Sequence, residues 1–287
     1  MPEMPEVESL AVFLRGHCVG RVIARVELTA FSALKTYEPP LSALNGLEID
    51  GVERHGKYLD ISAQGLHLVF HLARAGWLRW KDTLPETPAR PGKGPLALRV
   101  RLDDGSGFDL TEAGTQRKLA VHVVADPSDI AMVATLGPDP LSPDFDEAAL
   151  QAVLTKAGRA QLKGVLKDQR TIAGIGNAYS DEILHAARLS PFKPASSLTP
   201  DELSTLHRAV KDELGGAIAR AEGLAAKDLK GEKKSGLRVH GRTGQPCDVC
   251  GDTIAEVSFA DSSLQYCPTC QTGGKKLADR RLSRLLK

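Results

Sequence analysis

CDVCGDTIAEVSFADSSLQYCPTC, residues 247–270, places four cysteines in two Cys-x2-Cys knuckles with sixteen residues between them. Cys247, Cys250, Cys267 and Cys270 offer four thiolates to one tetrahedral Zn2+. No fifth ligand or open position accompanies them, so the ion is expected to be structural. A redox pair needs only one such knuckle, and a cytosolic chain rarely keeps structural disulfides. The short β-like runs between the knuckles are too small to build a core, and metal binding supplies that folding energy instead. A zinc ribbon alone does not reveal function, because such modules bind nucleic acid or protein or simply hold a tail in place. The fifth cysteine, Cys18, stands alone and reads as a small buried hydrophobe.

Upstream of the knuckles, AAKDLKGEKKSG (225–236) reads as a basic loop, and downstream KKLADRRLSRLL (275–286) reads as a basic helix or arm. The whole chain has 287 residues and a net charge of only +1. From Ala225 onward, however, twelve Lys/Arg face seven Asp/Glu, so the tail is positive and the first 224 residues are negative. That asymmetry points to an anionic partner as readily as to a solvated surface. Hydrophobic content of 42% and charged content of 25% fit a globular protein of about two domains. No apolar run approaches a membrane span, and the acidic start is unlike a signal peptide, so a cytoplasmic location is expected.

Further outward, residues 136–224 read as all-helical. Pro138, Pro140 and Pro143 make a linker, and FDEAALQAVLTKA, RAQLKGVLKD and AYSDEILHAARL follow it. A long helix then starts at Pro200 with Thr199 as N-cap and acids in its first turn. Within this region IAGIGNAYSDEIL (172–184) sets Gly174 and Gly176 in a tight turn that Asn177 leads into a helix. Free N–H groups at such a turn suit phosphate, although most such turns only connect helices. Residues before 136 read instead as one helix and many short strands, VIARVELTA through KLAVHVV, which argues a sandwich or a barrel. DTLPETPARPGKGP (82–95) is a Pro-rich loop among them.

The chain opens MPEMPEVESL. Proline and acids near a helix start explain Pro5, Glu6 and Glu8, but not Pro2 and Glu3. With Met1 removed, Pro2 is a terminal secondary amine, and an α-amino pKa near ~8 leaves much of it nucleophilic at neutral pH. Glu3 beside it can shuttle protons. Lys57 in GKYL precedes a strand and by itself reads as solvated surface.

An N-terminal PE-x-PEVE, the GKYL strand, HLARAG (71–76), AGIGNAY (173–179) and a four-cysteine finger, in this order, resemble the formamidopyrimidine-DNA glycosylase / endonuclease VIII family over nearly the whole chain. The resemblance implies an α+β fold. Its parts would be an N-terminal helix with an antiparallel β-sandwich (1–135), a helix–two-turns–helix domain (136–224), and a zinc-finger β-hairpin with its preceding basic loop (225–287). It further implies a bifunctional glycosylase and abasic-site lyase that flips a damaged base from duplex DNA held in a cleft between the halves. Mapped onto this chain, Pro2 is the nucleophile that forms an iminium, and Glu3 is the proton shuttle. Glu6 orients the site, and Lys57 meets the phosphate beside the lesion. Lys163 and Asn177 hold adjacent phosphates, while Arg74, Arg117 and Leu119 fill the void left by the flipped base. One zinc, a monomer, damaged duplex DNA as partner and no membrane complete the expectation, with the protein on the nucleoid when DNA-bound.

Three departures from the family pattern stand out. The finger-tip position that usually carries Arg is Ser262, which removes a charge-assisted phosphate contact worth about 1.5–3 kcal/mol. Arg238, Arg242 and Lys275 are the nearby candidates to replace it. Arg74 stands where a purine-type member has Met. The loop after the long helix is short for a base cap, which disfavours 8-oxoguanine and leaves oxidised pyrimidines, ring-opened purines or abasic sites. The rival reading is a non-catalytic or lyase-poor binder of damaged DNA on the same fold. A zinc-ribbon protein scaffold is a more distant one. His71 and His240 are expected as satisfied interior histidines, and Trp77, Trp80, Phe70 and Leu72 as core.

Overall fold

The computed structural model describes residues 1–92, 94–114, 116–260 and 262–278. The expected basic arm at the end of the chain therefore lies largely outside the described residues. The chain divides into two compact units, 1–136 with 220–232, and 137–219 with 233–287.

The first unit begins with α1, Met4–Cys18. Met4, Val7, Leu10, Ala11, Leu14 and Cys18 fall at helical spacing and are fully buried. A capping box starts the helix, with the Glu6 carboxylate accepting the Glu3 N–H at 2.8 Å and the Glu3 side chain accepting the Glu6 N–H. The strands follow as β1 Ile23–Leu28, β2 Gly51–His55, β3 Tyr58–Ala63, β4 Leu66–His71, β5 Gly76–Lys81, β6 Leu96–Leu102, β7 Gly107–Glu112 and β8 Ala120–Val124. They form two four-stranded antiparallel sheets, ordered β1-β6-β7-β5 and β2-β3-β4-β8. Alternate residues such as Leu59, Ile61, Leu68, Phe70, Val121 and Val123 meet Leu98, Val100, Phe108 and Leu110 in one core with α1. The architecture is thus a sandwich rather than a closed barrel. On the outer face of the second sheet, Val69, Val124 and Ile130 form a small separate cluster beside α2, Ala131–Ala134. Cys18 is buried as expected, and burial pushes its thiol up to about 12.

The second unit carries α3 Glu147–Ala157, α4 Leu162–Lys167, α5 Asn177–Ala186 and most of α6, Pro200–Ala221. Thr199 caps α6 as its sequence implies. Its Oγ1 accepts the Glu202 N–H at 3.3 Å, and Glu202 accepts the Thr199 N–H at 2.9 Å. The four-cysteine segment pairs β9 Ala255–Ser258 with β10 Ser263–Tyr266 as an antiparallel hairpin. It ends in α8, Pro268–Thr272.

One expectation is corrected. Residues 225–236 are not simply a loop, because they contain α7, Leu229–Gly236. Lys and Glu are good helix formers, but two turns are too short to hold alone. Tertiary contacts supply the rest. Leu229 enters the core, Arg220 pairs with Glu232 at 2.9 Å, the Trp77 indole donates to the Ala226 carbonyl at 3.0 Å, and the Lys230 ammonium sits 4.6 Å over the Trp77 ring.

Candidate active site

Pro2, Glu3 and Glu6 gather at the start of α1, and all three are buried. Lys57 lies in the two-residue loop of the β2–β3 hairpin, behind Gly56, whose φ of 57° suits glycine at the first position of such a turn. Arg54 ties this loop to α1. Its guanidinium bonds Glu8 at 2.7 Å and the Gly56 carbonyl at 3.1 Å. Lys57 is only 7% exposed, so the expectation of a solvated lysine is overturned. Two carboxylates, an ammonium and a proline are thus buried at one end of the helix and the adjoining hairpin. Charges are seldom buried this way unless they compensate one another or do chemistry.

His71 belongs to the same neighbourhood. Its ring lies 4.8 Å from the Tyr58 ring, and its Nδ1 accepts the Ala73 N–H at 3.2 Å. Burial, aided by the nearby Lys57 charge, pushes its pKa down to about 4, so it is a neutral interior histidine, as expected. The turn that follows demands its glycine. A Cβ on Gly76 would lie 2.0 Å from the Leu72 carbonyl oxygen. Arg74, between them, is exposed.

The void-filling residues separate. Arg117 is exposed and donates to the Gly94 carbonyl at 3.0 Å. Leu119 is 2% exposed and packs in the sandwich core, so in this conformation it is a packing residue and presents no wedge. Its position is set by Glu112, a buried carboxylate that accepts the N–H groups of Lys118 at 2.8 Å and Leu119 at 3.0 Å. Nothing in the local pattern marked Glu112 for that task.

In the second unit Lys163 does not present itself to an external phosphate. Its ammonium donates to Asp181 at 2.6 Å, Ser180 at 2.9 Å and the Asn177 carbonyl at 3.0 Å. Asn177 gives its amide N–H to the Ser263 carbonyl of the finger at 2.7 Å, while its side-chain oxygen is buried without a hydrogen-bond partner among the described residues. The turn is held by Gln169, which accepts from the Gly174 N–H at 2.9 Å and donates to the Ile175 carbonyl at 2.7 Å. Two acids on α5 were not foreseen. Asp181 also accepts from His240 at 2.7 Å. Glu182, whose pKa burial raises, receives the N–H groups of Arg238, Val239 and His240 at 2.8–3.0 Å.

The four cysteine sulfurs lie within 4.8 Å of one another, with Cys250–Cys267 at 3.3 Å and Cys247–Cys270 at 3.9 Å. Zinc–sulfur bonds of about 2.3 Å put tetrahedral ligands about 3.8 Å apart, so the set fits the metal. His185 of α5 reaches Cys247 Sγ at 3.3 Å, a second link that the sequence left unmarked. At the hairpin tip Ser262 accepts the Phe259 N–H at 2.8 Å. Arg238 and Arg242, the candidate replacements, pair with Glu213 and Asp248.

Family models agree with this layout. The formamidopyrimidine-DNA glycosylase N-terminal domain matches residues 1–120, the H2TH domain of the same enzymes matches 136–228, and a zinc finger found in FPG and IleRS matches 244–273. A formamidopyrimidine-DNA glycosylase of Symbiobacterium thermophilum is 37% identical over 98% of this chain and 93% of its own. The chain belongs to the formamidopyrimidine-DNA glycosylase family. An uncharacterized formamidopyrimidine-DNA glycosylase-like protein of Mycobacterium tuberculosis is 59% identical over 53% of this chain and 94% of its own. Among solved structures, MutM in complex with DNA containing carbocyclic 8-oxo-G superposes with a TM-score of 0.82 at 28% identity, covering 94% of this chain and all of that one. Formamidopyrimidine-DNA glycosylase of Lactococcus lactis, bound to DNA with an abasic site, gives 0.81 at 28% identity over 94% and 99%. In this glycosylase-family chain the α+β fold and the four-cysteine finger stand as expected.

Proposed function

We propose that this chain is a bifunctional DNA glycosylase and abasic-site lyase of base-excision repair, removing oxidised or ring-opened bases from duplex DNA. The observation that carries the reading is the joint burial of Pro2, Glu3, Glu6 and Lys57 at one end of α1 and the β2–β3 hairpin. After loss of Met1, the Pro2 nitrogen attacks C1′ of the flipped nucleotide and the bond to the base breaks. Glu3 protonates the ring oxygen, opening the sugar to an iminium. Loss of the C2′ proton then expels the 3′ phosphate. Glu6 holds the helix start through the Glu3 N–H, and Lys57 meets the departing phosphate. Arg74 and Arg117, both exposed, suit the DNA backbone and the orphaned base. Lys163 and Asn177 serve the interface by shaping the α4–α5 turn and joining it to the finger.

One structural Zn2+ on the four cysteines, a catalytic, a helical and a zinc-finger domain, a monomer and a cytoplasmic location belong to the same reading. A second reading, a lyase-poor binder of damaged DNA, draws on Ser262 at the finger tip, with Arg238 and Arg242 already engaged by carboxylates.

Borohydride trapping on a duplex with an abasic site, read by mass spectrometry of the N-terminal peptide, separates the two. The enzyme gives a covalent adduct on Pro2, and Pro2→Gly loses most of the lyase activity while duplex binding survives. Tight binding without any adduct establishes the binder.

A further inference from the structure

Beyond the catalytic cluster and the finger, the outer face of the sheet β2-β3-β4-β8 carries a third concentration of chemistry. Glu53 and His55 point outward from β2, Asp60 from β3 and His67 from β4. Glu53 and Asp60 are direct cross-strand partners. Two carboxylates facing each other across a strand pair repel and destabilise the sheet. Asp60 is moreover only 3% exposed, and two imidazoles are aimed at it. His55 Nε2 lies 3.0 Å from Oδ2, and His67 Nδ1 lies 2.9 Å from Oδ1.

We propose that Glu53, His55 and Asp60 bind a borderline divalent transition cation, Zn2+, at a site separate from the four cysteines. Their ligand atoms lie within 4.8 Å of one another. Bonds of about 2.0–2.2 Å need ligands roughly 3.3–3.5 Å apart, a gap that rotation of the exposed Glu53 side chain closes. Two carboxylates and a neutral imidazole balance a divalent charge. One imidazole nitrogen with carboxylate oxygens, and no thiolate, suits Zn2+ better than softer ions. In the bound form His55 carries its proton on Nδ1 and turns the Nε2 lone pair to the ion. His67 keeps its hydrogen bond to Asp60 and fixes the carboxylate, as outer partners of metal ligands do. The ion would clasp β2 to β3 one residue before the Gly56-Lys57 loop and so stiffen the hairpin that presents Lys57.

The test uses the full chain and no DNA, so it stands apart from the glycosylase reading. Co2+ loading distinguishes the two sites, because thiolate ligands give intense near-ultraviolet charge-transfer bands and an oxygen/nitrogen site gives only weak visible ones. Zn2+ content after gel filtration is then compared among wild type, Glu53→Gln and His55→Gln, both changes at residues outside the core. The expected result is two Zn2+ per wild-type chain and one per variant chain. The thiolate–cobalt bands should stay unchanged, and affinity for the second ion should fall about tenfold or more. Zn2+ should raise the melting temperature further in wild type than in either variant. Equal stoichiometry and equal affinity in all three proteins, whether one ion or two, would overturn the proposal.

Discussion

Lys57 and Lys163 are buried to nearly the same degree, at 7% and 5% exposure, yet they are placed for opposite ends. Lys163 spends its ammonium on a carboxylate at 2.6 Å, a hydroxyl and a carbonyl of its own unit. Lys57 sits at a hairpin tip and presses on His71, helping to hold that imidazole neutral. A buried lysine is therefore not a site by itself. Lys163 completes an internal network that orders the α4–α5 turn, whereas Lys57 is buried in the β2–β3 loop of the unit that also buries Pro2, Glu3 and Glu6. The same contrast extends to the units around them. The second unit adds Asp181, Glu182 and the four-cysteine cluster to an apolar core of its own, with Leu150, Leu162, Leu166, Ile183 and Leu214 fully buried, and the first rests on the large sandwich core.

The largest way to press this comparison is Cys250→Ser. Structural zinc is worth about 10–16 kcal/mol in small modules, so losing one thiolate should unfold the β9–β10 hairpin and weaken duplex affinity. Hydrogen exchange should show β9 and β10 deprotected while β3 and β4 stay protected. Exchange lost evenly across both units would end the idea that the four cysteines stabilise the finger locally.

Next is the pair of lysines. Lys163→Met leaves the Asp181 carboxylate buried without its cation and should cost about 3–5 kcal/mol in urea unfolding. Lys57→Met should cost less stability and reduce borohydride trapping and strand cleavage instead. If Lys163→Met is the milder change in stability, the assignment of roles is reversed.

His71 offers a pH readout. Its native pKa is depressed from 6.5 to about 4, so between those values the unfolded chain binds more protons and stability rises with pH. The contribution, on the order of 3 kcal/mol, is complete above the unfolded value and drains away as the pH falls toward the native one. Urea midpoints for His71→Asn should fall less steeply on the acid side than those of wild type. The smallest effect is Thr199→Ala. Removing the α6 cap should cost about 1 kcal/mol and leave DNA chemistry untouched, as measured by thermal melting and strand cleavage.

Much of the fold was legible because its signals are local. Helical spacing of apolar residues marked α1, Thr199 with Glu202 marked the start of α6, and two knuckles marked the finger. The candidate catalytic residues became a set only as a pattern shared with a family, since Pro2 and Glu3 taken alone give an amine beside a carboxylate and Lys57 alone reads as surface. The wedge role of Leu119 came only from the resemblance, and its burial in the sandwich core beside the Glu112 carboxylate is a tertiary fact that the KLAVHVV run does not announce. The internal partners of Lys163 were not legible, because a lysine before a Gly-rich turn looks the same whether or not Asp181, eighteen residues later, faces it. Residues 225–236 read as a basic loop, and only contacts through Trp77, Leu229 and Glu232 give α7 its partners.

By itself, the sequence determined what spacing along the chain can encode. That includes one amphipathic starting helix, alternating strands, a capped long helix, and four thiolates in the right pairs for a tetrahedral ion. Only the tertiary structure decided which charges are answered from within and which face outward. Burial raises the stakes of every polar group, and its partner is supplied by segments distant in sequence. Lys163 with Asp181, Glu182 with the 238–240 backbone, and Asp60 between two histidines are all choices of that kind.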